Sequence, residues 1–392
     1  MINTVDDHTT VNTNPEMYYS SVYWNNYEYV WRTVHERISG DQDTQWFRHF
    51  HQSVGKRRFK KALILCCGNG WVERELFEHG LFEEAVGVDY LEPLLDQART
   101  SAVGLPIRYY QMDINTAVFP ESGYDLIVNY AAAHHIAYID RVFRELARLL
   151  PEDGYFVNYD YVGPHRNQYS ALQWAAVHDL NTTLPQHLQQ KLAYPHLPTM
   201  IHLDPTEAIH SELIIPVMQR YFTIEAHKHA GGALAYPIIT HNDQFSNAPV
   251  AEQNEWSTYI MAADTAYLAA FPESSLFDYL AVRPKHTILA ETAKLMLWTQ
   301  EEERREQLAK PHGVYYTHVA EEEVKAEDSL AESEQALLAE RHWSQETISN
   351  LVKEKNWLQQ RTHELEQEIQ RLRSNLIVKM MRGIRQMISR KG

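Results

Sequence analysis

The segment LILCCGNGWVERELF concentrates more potential chemistry than any other short stretch of this chain. An apolar run ends in Gly68-Asn69-Gly70 and a helical pattern opens at once, so the turn presents backbone amides and the positive end of a helix dipole to an anionic group. Glycine lets a ligand approach the backbone that closely. Asp89 ends the next apolar run, about twenty residues on, where a carboxylate can accept both hydroxyls of an adenosine ribose. Asp113, after a third run in YYQMDIN, is placed to meet an adenine edge, with Ile114 beside it to pack on the ring. Further along, His134 and His135 follow YDLIVNYAAA, and Asp160, Tyr161, His165 and Arg166 fall in NYDYVGPHRNQY. Imidazoles suit proton transfer because their unperturbed pKa lies near working pH.

These groups need a scaffold that brings strand ends together. From residue 62 short apolar runs alternate with helical segments, the pattern of βαβ units on a parallel sheet. Strands are expected at 62–67, 85–89, 107–112, 124–130 and 155–161, with later ones at 221–228 and 286–291. A helix is expected over 139–150, where Ile139, Val142, Phe143, Leu146, Leu149 and Leu150 share a face before Pro151 and Gly154. The segment 165–215 reads as a mostly helical, substrate-side insertion carrying Trp174, Leu180, Leu188 and Leu192. Gly231-Gly232 reads as a turn. Upstream, Tyr18, Tyr19, Tyr23, Trp24, Tyr27, Tyr29 and Trp31 crowd a helical stretch whose aromatic face is either core or a lid over a ligand.

The glycine turn, the strand-end acid, the third-strand aspartate and YDLIVNYAAAHHI resemble, in order and spacing, the class I S-adenosylmethionine-dependent methyltransferases. The likeness is close over about 60–163 and looser over 20–295. It implies an α/β fold with a Rossmann-like seven-stranded sheet and helical insertions. It also implies S-adenosylmethionine as cofactor, held by Cys67, Gly68, Gly70, Asp89, Asp113, Ile114 and Asn129. Gly68 and Gly70 would border its methionine part, Asp89 the ribose, Asp113 and Ile114 the adenine, and Asn129 the region of the transferable methyl. Two positions depart from the family: Ile64 stands where it usually has an acid, and Cys66 where it usually has a glycine. Nor does Asn129-Tyr130-Ala131-Ala132 match the Asn/Asp-Pro-Pro-aromatic sequence that grips a planar amide, so base methylation is disfavoured. Methyl transfer at a sulfonium requires an aligned nucleophile and, for a hydroxyl, a proton acceptor. His134, His135, Asp160 and His165 are the candidates. The runs DYVGPHRNQY, IIPVMQRYF and HAGG further resemble methyltransferases of bacterial surface-polysaccharide clusters. The acceptor is thus expected to be a surface glycan or lipid-linked saccharide. A soluble small-molecule methyltransferase and a non-catalytic scaffold on the same fold are the alternatives.

The 392 residues carry 52 acids against 36 bases, a net charge of −16, which argues against nucleic acid as a partner. The adjacent Cys66 and Cys67 read as small core residues rather than a disulfide. With 21 histidines but no HExxH pair and no Cys/His ligand set, no metal is expected. There is no signal peptide pattern and no apolar run of membrane-spanning length, so a cytoplasmic protein is expected.

Charge is polarised near the end of the chain: residues 301–346 hold 13 acids and five bases, and 347–392 four acids and ten bases. Leu330, Leu337, Leu351, Leu358, Leu365 and Leu372 recur in sevens, interrupted only by Ser344. Ile348, Ile369 and Leu376 take the other core position, with Lys355 and Thr362 as polar members that set register. A long coiled-coil helix that makes a homo-oligomer through 330–376 is expected. After it Ile377, Met380, Met381, Ile384, Met387 and Ile388 form an apolar stripe among basic residues, suited to an anionic membrane or a membrane protein. The expected layout is a disordered 1–15, a methyltransferase domain at 16–295, an acidic linker at 296–325, a coiled coil at 326–376 and a basic amphipathic helix at 377–392.

Overall fold

The run Ala62-Leu63-Ile64-Leu65 shows how the sheet is built. Ala62 and Ile64 pack into one buried cluster and Leu63 and Leu65 into another, so this strand is covered on both faces, as a parallel sheet requires. The computed structural model describes residues 23–288. The expected disordered N-terminus, acidic linker, coiled coil and basic helix lie outside the described residues.

The elements follow in the order α1 (Glu28–Ser39), α2 (Trp46–Ser53), β1 (Phe59–Leu65), α3 (Trp71–Glu78), β2 (Phe82–Asp89), α4 (Glu92–Ser101), β3 (Ile107–Gln111), β4 (Leu126–Tyr130), α5 (Ile139–Leu149) and β5 (Tyr155–Tyr161). Then come α6 (Ala171–Thr182), α7 (Leu197–Leu203), α8 (Ile214–Tyr221), β6 (Phe222–Gly231), α9 (Ala235–Ile239), α10 (Asp243–Ser246), α11 (Val250–Ala270) and β7 (Phe277–Pro284). The seven strands form one sheet in the order β3-β2-β1-β4-β5-β7-β6, with β7 antiparallel to both neighbours. This is the Rossmann-like seven-stranded sheet that the sequence led us to expect. Helices α5 and α8 cover one face, while α1 to α4, α6, α9 and α11 pack on the other. The strand order reverses between β1 and β4, so the crevice at their C-terminal ends is where such a sheet receives a ligand.

Several expected boundaries change. The last strand among the described residues is Phe277–Pro284; of the strand expected at 286–291, His286–Ile288 are helical and 289–291 lie outside the described residues. Leu280 and Val282 face one core and Tyr279 and Ala281 the other, while buried Asp278 breaks the apolar run that would mark the strand in the sequence. Cys66 and Cys67 lie beyond β1, in the turn. In the insertion 165–215 the longest helices are α6 and α7, and 183–196 lies outside helices. Among the early aromatics that the structure describes, Trp24 and Tyr27 are core, with Trp24 stacked at 5.3 Å on Phe277, while Tyr23 and Trp31 are half-buried and Tyr29 is exposed.

Gly231-Gly232 ends β6 with φ of +101° and +89° and sits beneath a buried ion pair. Arg37 of α1 reaches Asp264 of α11 at 2.8 Å and also donates to the Ala230 carbonyl at 2.9 Å. Asp264, fully buried, accepts in addition the amides of Gly232, Leu234 and Ala235. A Cβ on Gly231 would run into the Arg37 guanidinium.

Candidate cofactor and acceptor site

The turn after β1 combines three left-handed residues, Cys66 (φ +44°), Gly68 (φ +55°) and Gly70 (φ +77°). Cys66 therefore adopts, at the family's glycine position, a conformation that favours glycine. Its thiol is pushed far up by burial and by Asp89 and Asp160, so it stays protonated. A Cβ on Gly70 would lie 2.6 Å from the Tyr109 hydroxyl, which explains glycine there. Cys67 turns its side chain into the core, where its sulfur would lie 2.9 Å from a Cβ on Gly87, and its thiol donates to the Gly68 carbonyl at 3.9 Å.

Asp89 ties this turn to the end of β2. Its two oxygens accept the Gly68 and Leu91 amides, each at 2.8 Å. Burial raises its pKa and these backbone donors oppose the rise. Asp113 caps the short turn Ile114–Thr116 by accepting the Asn115 amide at 2.9 Å, and Ile114 packs toward the α5 face. Asn129 is fully buried, and its amide donates to Asn158 at 2.8 Å and to Asp160 at 2.6 Å. Its Oδ1 has no protein partner, an unfilled acceptor at the end of β4.

Beneath the glycine turn, on the same face as Ile64, Glu73 of α3 is completely buried. Burial lifts its carboxyl from 4.5 to about 7. A group that binds its proton more tightly when folded stabilises the fold at low pH. That contribution should fall as pH rises from about 4.5 through about 7, by about 1–3 kcal/mol. Glu73→Gln should flatten this slope in urea unfolding at pH 5 and pH 8. An unchanged slope would remove Glu73 as its source.

The second half of the site is gathered around Asp160 at the end of β5. This fully buried carboxylate accepts the Ala132 and Ala133 amides at 3.1 and 2.6 Å on Oδ2, where Asn129 also donates. The Tyr161 amide at 2.7 Å and His134 Nδ1 at 2.5 Å reach Oδ1. His134 and His135 lie in a short turn after β4 with ring centroids 4.1 Å apart. Their Nε2 atoms converge on Glu207 Oε2, at 3.7 and 3.9 Å. Burial works to lower the His134 pKa, but Asp160 and then Glu207 outweigh it and hold the imidazole at about 10. For Glu207, burial is outweighed by His134, His135 and Arg166, which hold its carboxyl at about 2. Burial and the neighbouring His134 charge push His135 down.

Glu207 escapes a reading of the sequence, because it arrives on the excursion between α7 and α8. The only cue is the polar run Asp204-Pro205-Thr206-Glu207 within an insertion taken as helical. Buried Arg166 clamps this run by donating to the carbonyls of Asp204 at 3.2 Å, Glu207 at 3.1 Å and Pro205. His165 is set differently from the other candidates. Its ring bonds the Ile209 carbonyl and its amide donates to Glu212 at 3.2 Å, so it secures the loop that carries Glu207.

A methyltransferase-domain family model matches residues 63–158. An uncharacterized methyltransferase of Mycobacterium tuberculosis is 33% identical over 103 residues, 26% of this chain and 51% of that protein. A demethylmenaquinone methyltransferase of Thermus thermophilus is 26% identical over 134 residues, 34% of this chain and 61% of that protein. The chain spans about half the length of the first curated relatives it matches. Among solved structures, an S-adenosylmethionine-dependent methyltransferase from Mesorhizobium loti superposes with a TM-score of 0.35 at 17% identity, over 57% of this chain and 90% of that one. The left-handed glycine turn, the Asp89 carboxylate and the unfilled Asn129 acceptor fit the cofactor that such domains use. Residues 63–158 are thus similar to the methyltransferase-domain family, and the cofactor this points to is S-adenosylmethionine.

Proposed function

We propose that this chain O-methylates a surface glycan or lipid-linked saccharide near the inner membrane. The observation that carries methyl transfer to oxygen is the array of buried Asp160 and His134 with half-buried His135 and Glu207 beside the cofactor crevice. S-adenosylmethionine supplies a methyl group on a sulfonium, so the protein must hold the acceptor oxygen in line and take up its proton. Gly68, Gly70, Asp89, Asp113, Ile114 and Asn129 would hold the cofactor. His135, whose pKa is pushed down, and Glu207 would meet the acceptor hydroxyl, with His134, Asp160 and Arg166 as positioning residues.

A saccharide acceptor is supported by the resemblance of DYVGPHRNQY to enzymes of surface-polysaccharide clusters and by aromatic surface near the crevice. Trp71, partly exposed, meets Tyr130 edge-on at 5.2 Å, and Tyr130 stacks at 5.5 Å on Tyr159. Such rings suit the apolar face of a sugar. In this reading the heptads at 330–376 make a homo-oligomer and the basic stripe at 377–392 keeps it on the anionic inner face of the membrane. No helix among the described residues is long and apolar enough to cross a membrane.

The test is transfer of radiolabelled methyl from S-adenosylmethionine to two fractions, membrane glycolipid and soluble metabolites, by the full chain. Label in the saccharide of the glycolipid fraction is the expected result. Label confined to soluble compounds would make it a small-molecule enzyme, and cofactor binding without label in either would make it a scaffold.

A further inference from the structure

Among the described residues two groups bring three or more metal-ligating side chains together, and they differ in kind. In the first, His227 Nε2 and His229 Nδ1 lie 2.6 and 3.0 Å from the oxygens of Asp278. Those are direct hydrogen bonds on an edge strand, and they account for the arrangement without an ion.

The second group is His134, His135 and Glu207. Its ligand atoms lie within 4.8 Å of one another, and the two imidazole-to-carboxylate distances are 3.7 and 3.9 Å. Those separations are too long for hydrogen bonds. They exceed by a few tenths of an ångström the roughly 3.4 Å between two ligand atoms that each sit about 2.1 Å from a tetrahedral ion, so a shared ion would draw the three atoms slightly inward.

The surroundings of each ring match this reading. His134 commits Nδ1 to the Asp160 carboxylate at 2.5 Å, and His135 points Nδ1 at the Thr206 hydroxyl, 3.1 Å away. Thr206 in turn donates to Asp204 at 2.8 Å. Both imidazoles are therefore oriented through Nδ1 so that Nε2 faces Glu207. Such outer partners fix tautomer and ring direction at metal centres. Glu207 is held from behind by Arg166, which bonds the main chain of the 204–207 run and leaves the carboxylate directed at the rings. Two imidazoles and one carboxylate form a donor set suited to a divalent transition metal with coordination positions left over.

We propose that His134, His135 and Glu207 bind one divalent transition-metal ion at the C-terminal ends of β4 and β5, with Asp160 and Thr206 as the outer partners that orient the rings. This departs from the expectation that the sequence carries no metal site. Its ligands come from positions separated by 72 and 73 residues, which no local spacing reveals. The binding claim stands on its own geometry. The role that follows, holding and polarising the acceptor hydroxyl, rests on the methyltransferase reading.

Cobalt(II) serves as the probe because its visible absorption reports nitrogen and oxygen ligation. Full-length protein, stripped with a chelator and dialysed, is titrated with cobalt(II) and then with zinc(II), and bound metal is measured by mass spectrometry. The expected result is a visible band saturating at one ion per chain, displaced by zinc. Glu207→Gln and His135→Ala should each weaken binding by about tenfold or more. His227→Ala with His229→Ala should leave it unchanged. Absence of a saturable band in the parent, or a band that survives Glu207→Gln and disappears in the His227/His229 variant, would overturn the proposal. Calorimetry with S-adenosylmethionine on the same samples separates the two readings. Cobalt binding without cofactor binding would uphold the metal site while removing its role in methyl transfer.

Discussion

Asp160→Asn should reduce methyl transfer by about a hundredfold or more while changing cofactor affinity little. The carboxylate accepts five hydrogen bonds in the structure: two from Ala132 and Ala133, one each from Asn129 and Tyr161, and one from His134. An amide presents one oxygen and one NH2 group, so some of these donors would face a donor. His134 would lose the partner that orients it, and the turn that carries both histidines would lose its anchor on β5. Activity and affinity are measured on the same preparation, with circular dichroism to confirm the fold. If turnover survived, the acceptor chemistry would have to lie away from the end of β5.

Asp264→Ala should cost about 3–5 kcal/mol of stability, as expected when one partner of a buried ion pair is removed and its counterpart stays behind. Here the loss extends beyond Arg37, because the carboxylate also holds the amides of Gly232, Leu234 and Ala235. It therefore joins α1, the end of β6 and α11. Denaturant unfolding measures the effect. A loss under about 1 kcal/mol would mean that water replaces the carboxylate and that this junction is more open than its burial implies.

The positions of the candidate cofactor residues were legible in the sequence, and those of the candidate acceptor residues only partly. Gly68, Gly70 and Asp89 lie on contiguous strand-turn-helix units, where residue spacing alone sets their place in space. Asp113 and Asn129 were also singled out in the sequence; in the structure the Asp113 side chain binds the Asn115 amide and Asn129 binds Asn158 and Asp160. His134, His135 and Asp160 were legible because all three follow strands. Glu207 was not. It depends on a fold-back of the insertion, fixed by buried Arg166 and its bonds to main-chain carbonyls, and such contacts leave no periodic signature. β7 was misplaced for a related reason: buried Asp278 breaks the apolar run, yet it is satisfied by His227 and His229 across the strand pair. The helical content of the insertion was overestimated: Leu188 and Leu192 were read with Trp174 and Leu180 as helical, yet they fall in 183–196, which lies outside helices.

The central claim is that this domain binds S-adenosylmethionine through the Gly68 turn and Asp89. Isothermal titration calorimetry of the full chain with S-adenosylmethionine and S-adenosylhomocysteine tests it most directly. The structure predicts one site per chain, weakened in Asp89→Ala by roughly 2–4 kcal/mol, about 30- to 700-fold, because two charge-assisted hydrogen bonds to the ribose are lost. Asp89→Asn keeps the side-chain shape near the Gly68 and Leu91 amides and should fall between the two. Failure of the parent to bind either compound, or equal affinity in Asp89→Ala, would contradict the account.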